Sequence, residues 1–173
     1  MRTIIGLLAA GALVACAQTH LGEEAADPPA VQPGDLALLE GSWTGSLTYR
    51  DYSPPHEDVA IPATLEADEL DDGIRLELKY PDEPSAYDRS MLIASDEGRT
   101  LNSETVMSRT KTGDEVTIVT ASDCEDDGRP AQCEVTYTLS PRVFEMKKMV
   151  ALDSGEAPFR RNAYAFERAG EAD

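Results

Sequence analysis

The chain has 173 residues, with 15 Lys and Arg against 33 Asp and Glu and a net charge of -18. This length suits one domain, and a 41% hydrophobic content excludes wholesale disorder. The acidity excludes a nucleic-acid binder, which needs a basic face to displace counterions, and three Cys with two His are too few for a zinc framework.

Residues 1–15 read as a secretory segment. Arg2 supplies a short positive start, and Ile4 to Ala15 is an uncharged run of small and apolar residues. A permanent membrane span needs about 20 such residues, so the run is too short to stay as one. It ends in Leu13-Val14-Ala15-Cys16, which resembles a bacterial lipobox. The resemblance implies cleavage before Cys16 and a lipid on Cys16. Ala17, not Asp, follows the Cys, which implies the periplasmic face of the outer membrane. The mature chain then keeps 14 basic and 33 acidic residues, a net of -19. Anionic lipid surfaces repel such a chain, so the acyl chains do the anchoring.

Residues 16–35 predict a flexible tether. Gly22, Pro28, Pro29, Pro33 and Gly34 alternate there with Glu23, Glu24 and Asp27, and bulky apolar residues are scarce. His20 reads as solvated.

Residues 36–173 predict the folded domain. Leu36 to Leu39 suit one helical turn. After it the apolar residues recur with period two, the mark of half-buried strands. Trp43, Gly45, Leu47 and Tyr49 share one face, against Ser42, Thr44, Ser46 and Thr48. Val59, Ile61, Ala63 and Leu65 repeat the pattern, as do Ile74, Leu76, Leu78 and Tyr80. Further strands are expected at Ser90–Ser95, Thr100–Ser108, Glu115–Ser122, Cys133–Ser140, Val143–Leu152 and Arg160–Arg168. Turn signals such as Asp71-Asp72-Gly73, Asp96-Glu97-Gly98, Thr112-Gly113-Asp114 and Asp127-Gly128 separate them. The spacing predicts an all-β domain, a single antiparallel up-and-down barrel of about 8–10 strands. Pro62 cannot donate to a ladder, so it marks an edge or bulge. Lys148 falls on the face of Phe144, Met146 and Val150. Either it points into a polar interior or a one-residue slip turns it out.

Cys124 and Cys133 remain as a pair, facing each other across the mouth of a turn-rich hairpin. In an oxidising compartment they form a disulfide. Redox centres favour Cys-x-x-Cys, so this bridge reads as structural.

The segment Gly41-Ser42-Trp43-Thr44-Gly45, after a short turn and on the first strand, is similar to the opening of the calycin group, the lipocalins and fatty-acid-binding proteins. That resemblance implies a barrel closed at one end by the Trp, with an Arg of the last strand stacked on it. Arg160, Arg161 and Arg168 are the candidates. The fatty-acid-binding proteins hold a carboxylate with an Arg-x-Tyr pair, and here the text reads Asn162-Ala163-Tyr164. The haem-binding barrels with a similar opening need a late His, and this chain has none beyond His56. No cofactor and no metal is expected.

The chemical candidates are few. Asp51, His56, Glu57 and Asp58 lie close together, as a metal or acid–base cluster or as a charged loop. Asp68 to Gly73 faintly matches a calcium loop, but Leu70 stands where an oxygen ligand belongs. No Gly-x-Ser-x-Gly elbow and no phosphate loop is present. An enzyme would need Glu77 and Asp51 converging inside the barrel, and no catalytic constellation is evident. Residues 51–128 hold 21 acidic and 6 basic side chains, whereas residues 141–173 hold 6 of each.

Two functions follow as expectations. One is a carrier of a small apolar or amphipathic molecule, with Tyr49, Ile61, Leu76, Leu78, Phe144, Met146 and Tyr164 lining core or cavity. The other is an envelope accessory protein acting through its acidic outer surface, with a protein partner the sequence does not identify.

Overall fold

The structure is a computed structural model and describes residues 27–71 and 73–170. The expected signal segment, Cys16 and the first part of the tether lie outside the described residues. A 3₁₀ turn at Leu36–Leu39 precedes ten strands: β1 (Gly41–Arg50), β2 (Asp58–Leu70), β3 (Gly73–Lys79), β4 (Tyr87–Leu92), β5 (Thr100–Leu101), β6 (Glu104–Thr112), β7 (Glu115–Asp126), β8 (Arg129–Leu139), β9 (Val143–Leu152) and β10 (Phe159–Arg168). They form one antiparallel sheet in the order β4-β3-β2-β1-β10-β9-β8-β7-β6-β5. The first strand pairs with the last, and the sheet curls into a nearly closed up-and-down barrel. This is the single antiparallel up-and-down barrel that the strand spacing predicts.

The seam falls between β4 and β5. A single bridge, Ala94 to Leu101, joins the two sides, helped by the Asn102 amide on the Ile93 carbonyl at 2.8 Å. Nine strands are expected from the sequence and ten are found. The predicted Thr100–Ser108 strand breaks at Asn102 and Ser103, whose φ values are +51° and +68°. Two positive φ angles make a tight hairpin turn that normally asks for Gly, so its sequence signal is faint. Pro62 sits where β2 extends past its pairing with β3, which starts at Thr64, so that stretch has β1 on one side only.

One end of the barrel is filled. Leu36 and Leu39 of the turn are buried beneath Trp43, Leu65, Ile74, Leu139, Phe144 and Phe166. The Trp43 indole N–H donates to the Leu39 carbonyl at 2.8 Å. Arg168 lies 4.1 Å over the Trp43 ring and donates to the carbonyls of Leu38, Glu40 and Pro141. Both motif glycines are required by this end. Gly41 has φ +115°, and a Cβ there would stand 2.7 Å from the Arg168 guanidinium. A Cβ on Gly45 would stand 1.9 Å from the Ala165 carbonyl oxygen, so β10 approaches β1 only where a side chain is missing.

The expected tether gives way to folded structure at Val31, five residues before the domain start at residue 36 read from composition. Val31 and Asp35 are buried, and the Val31 amide donates to Gly98 at 2.9 Å. Asp35 takes two bonds from Arg109, at 2.6 and 2.7 Å, and one from the Gln32 amide at 2.7 Å. Proline and glycine content marks the lack of regular structure here, not the lack of packing.

Replacing Arg168 removes three bonds to carbonyls and the cation over Trp43. Arg168→Met is expected to cost about 2–4 kcal/mol in urea unfolding, with a red shift of Trp43 emission. Arg168→Lys recovers only part of this, because an ammonium cannot fork to two carbonyls. Unchanged stability in both variants would contradict this account.

Candidate functional site

Strand register sorts the inward side chains into rows. The deepest runs through Ala63, Gly45, Phe166, Phe144, Leu139 and Val116. The next runs through Ile61, Leu47, Tyr164, Met146, Tyr137 and Ile118. The third runs through Val59, Tyr49, Asn162, Lys148, Val135 and Thr120. In the deepest row Ala63, Phe166, Phe144, Leu139 and Val116 are buried. In the second row Ile61, Leu47 and Met146 keep solvent access, and in the third Val59, Tyr49, Asn162 and Lys148 do. These half-buried residues are contiguous across β2, β1, β10 and β9. The barrel interior is therefore a cup, packed at the Trp43 end and less fully buried toward the other, its mouth, which the β7–β8 hairpin and the β1–β2 loop partly cover.

The middle of the cup is polar at its tips. The hydroxyls of Tyr80 and Tyr164 are 3.1 Å apart. Burial pushes the Tyr164 phenol above its ordinary pKa, with the Tyr80 bond and the nearby Asp88 acting in the same direction. Tyr137 is raised likewise, by burial and then by Glu104. The Glu104 carboxylate accepts a bond from the Thr120 hydroxyl.

A second small core lies at the mouth. Ala131, Cys133, Val150 and Leu152 are buried there, with Cys124 and Phe159 packed against them. Cys124 and Cys133 form a disulfide. They are not directly opposite, as a symmetric hairpin would have them. Cys124 pairs with Ala131 and Cys133 with Ser122, so the bridge runs diagonally. The cause is the two-residue turn at Asp127 and Gly128, both at positive φ, which sets the register. The stretch read as a turn-rich loop is mostly strand. Beyond the disulfide, Asp126 is buried and accepts from the Tyr52 hydroxyl at 2.5 Å, with Arg161 Nε at 3.3 Å. Arg161 also lies 4.2 Å over the Tyr52 ring. This contact ties the β1–β2 loop to the β7–β8 hairpin.

The seven residues expected to line core or cavity divide by depth. Leu76, Leu78 and Phe144 are fully buried in the packed part. Tyr164 is buried at the boundary, and Tyr49, Ile61 and Met146 stand in the open part. Of the three candidate arginines, Arg168 covers Trp43. Arg160 instead pairs with Asp58, and Arg161 with Asp126, because both stand at the mouth end of β10, whereas Arg168 at its other end is the direct strand partner of Trp43.

Glu77 and Asp51 do not converge inside. Glu77 is on the outer wall, 3.0 Å from Arg89 and 3.3 Å from Lys79, and the Arg89 bond holds its carboxyl below the usual range. The Asp51 carboxylate accepts the Ser53 amide within its own loop, where His56 and Glu57 are exposed. Among the described residues no three His, Cys, Asp or Glu side chains stand together as a metal set. Asp68 bonds Arg75 on the outer wall at 2.8 Å.

Sequence reasoning did not select Lys148, Asn162, Tyr80 or Tyr137 as site residues. For Lys148 the signal was present, since it shares the parity of Phe144, Met146 and Val150. The β10 bulge lies past Asn162, so no slip intervenes and Lys148 faces inward.

No family model matches the chain, and no curated protein matches it. Among solved structures it is similar to Rv2717c from M. tuberculosis, at 11% identity and a TM-score of 0.55, over 81% of this chain and 99% of that one. At that identity the likeness is one of fold. A variant of the fluorescent protein UnaG follows at 10% identity and a TM-score of 0.40, over 79% of this chain and 99% of that one. A protein of unknown function from Nostoc punctiforme, of the DUF3598 family, aligns at 15% identity and a TM-score of 0.35, over 82% of this chain and 50% of that one. The last two superpose too loosely to inform the site.

The disulfide staples the hairpin that stands at the mouth. Cys124→Ser with Cys133→Ser is expected to lower unfolding free energy by about 2–3 kcal/mol, the entropy of a loop this short. Denaturant titration with and without reductant checks it. A stability indifferent to the bridge would mean the hairpin is held by Asp126 alone.

Proposed function

We propose that the chain is a lipid-anchored binding protein of the cell envelope, whose open barrel end takes a small apolar or amphipathic molecule. The observation that carries the ligand part is the contiguous set of inward, half-buried residues above a packed floor. Leu47, Ile61 and Met146 offer a half-buried apolar wall, with Leu47 and Met146 packed against the core below. A barrel whose only task is to be stable gains by burying that wall, at about 25 cal/mol per Å² of apolar surface removed from water. The paired hydroxyls of Tyr80 and Tyr164 add a polar point at the boundary, as small-molecule sites use a few polar groups to set orientation.

The anchor rests on Leu13-Val14-Ala15-Cys16, and the outer-membrane assignment on Ala17. The disulfide suits an oxidising compartment such as the periplasm. In this reading Cys16 carries the lipid and the domain stands off the periplasmic face of the outer membrane. The acidic outer surface favours a second reading, contact with another envelope component, and the ligand test separates the two.

Native mass spectrometry of protein purified from an envelope is expected to show a bound molecule of defined mass, lost on solvent extraction. An empty chain that retains no added hydrophobe would move the function to the outer surface. For the anchor, the wild-type protein is expected in the outer-membrane fraction with an acylated mass. Cys16→Ser is expected to abolish that acylation, and an unchanged mass would end the lipoprotein reading.

A further inference from the structure

We infer that Lys148, with Asn162 and Tyr49, forms a recognition point for a single anionic group inside the mouth, so that the ligand is an amphipathic anion. The inference rests on the reading of the open end as a binding site. Three observations lead to it.

The first is position. Lys148 pairs with Asn162 on β10, and Asn162 with Tyr49 on β1. Their side chains therefore lie side by side across three neighbouring strands, roughly 5 Å apart from strand to strand. All three face inward and keep solvent access. They stand one pleat above Met146, Tyr164 and Leu47, and two above the buried Phe144 and Phe166. A tail resting on the apolar rows below would place its head group at this level.

The second is the missing counter-charge. Of the other described cations at the mouth or pointing inward, Arg109 is paired with Asp35, Arg161 with Asp126 and Arg160 with Asp58, Arg168 is held by Trp43 and three carbonyls, and Arg50 lies over the Phe159 ring. Lys148 has no carboxylate within 4 Å among the described residues, in a chain with 33 acidic side chains. The acids nearest the interior face other groups, Glu104 the Thr120 hydroxyl and Asp126, through Oδ1, Tyr52 and Arg161. The polar ends of Asn162 and Tyr49 likewise have no side-chain partner among the described residues. Three adjacent solvent-accessible groups without a side-chain partner, two of them able to donate alongside a cation, suit one acceptor-rich anion.

The third is cost. On its own strand Lys148 is flanked on the inward face by Met146 and Val150. An apolar residue there would enlarge the core without desolvating a charge. The Lys stem can cover this apolar wall while the ammonium stays in the wet part of the cup. Stability does not call for the charge, and an anionic ligand does.

The test uses two dyes with the same anilinonaphthalene body. One carries a sulfonate, 1-anilinonaphthalene-8-sulfonate; the other, N-phenyl-1-naphthylamine, is neutral. The protein carries Cys16→Ser so that no acyl chain competes. The wild-type cup is expected to bind the sulfonate dye more tightly than the neutral one. Lys148→Met is expected to weaken the sulfonate dye about tenfold and to leave the neutral dye bound as before or more tightly, while Lys148→Arg preserves the preference. Leu47→Trp, which fills the cup, is expected to weaken both dyes. Melting curves confirm that each variant is folded. If Leu47→Trp weakens both dyes but Lys148→Met shifts neither, or shifts both equally, the anion point is refuted and the cup stands. If neither dye binds, or filling the cup changes nothing, the binding site itself falls, and this inference with it.

Discussion

One guanidinium holds the closed end of this barrel together. Arg168 comes from the last strand, stacks on the Trp43 ring of the first, and binds carbonyls from the 3₁₀ turn and from the β8–β9 connection. It therefore joins the two ends of the chain to its middle. The carbonyls it takes belong to segments that leave the sheet, where no ladder partner exists for them. Two of these bonds are exposed and one is half-buried, so the side chain acts chiefly by tying the turn and the β8–β9 connection to β10 and Trp43. The two motif glycines are consequences of the same packing. Gly41 makes room for the guanidinium, and Gly45 lets β10 come close enough to deliver it.

Closing one end so firmly leaves the seam between β4 and β5 as the weak place in the wall. The N-terminal segment compensates. Val31 bonds Gly98 in the β4–β5 connection, and Asp35 bonds Arg109 on β6, before the chain passes under the floor as the 3₁₀ turn. The strap thus spans both sides of the gap. Its ion pair has Asp35 buried and Arg109 largely so, and the carboxylate also accepts a backbone amide. Breaking such a pair strands a buried charge, so the strap resists peeling more than its few contacts suggest.

Much of the fold was legible, and the limits were physical. Period-two alternation reports which face a residue is on, and the apolar faces of β1, β2, β3 and β9 were readable for that reason. Alternation does not report height along the barrel. Phe144 and Met146 look equivalent in sequence, yet one is floor and the other is wall. The ten-strand count was hidden by Asn102 and Ser103, which turn the chain without glycine. The choice among three arginines was hidden because it depends on the register of β10 against β1, which sets Arg168 opposite Trp43. The tether boundary was hidden because burial of Asp35 depends on an arginine 74 residues away. Lys148 was visible as an exception to its stripe. Its meaning needed the register of two neighbouring strands.

Charge arrangement ties the two ends of this argument. With 33 acidic side chains and a net of -18, the chain repels anions at long range. At physiological ionic strength that repulsion is screened beyond about 8 Å. An anionic amphipath reaching the mouth would therefore meet a weak barrier outside and one uncompensated cation inside. Discrimination among ligands then happens at short range, through the bonds the head group makes, and not through steering. The same acidity holds the folded domain away from anionic lipid, which on the proposed reading keeps the mouth clear of the membrane surface to which Cys16 ties the chain. A basic exterior would concentrate anions indiscriminately around the cup; an acidic exterior with a single inward lysine selects those whose tails also fit it.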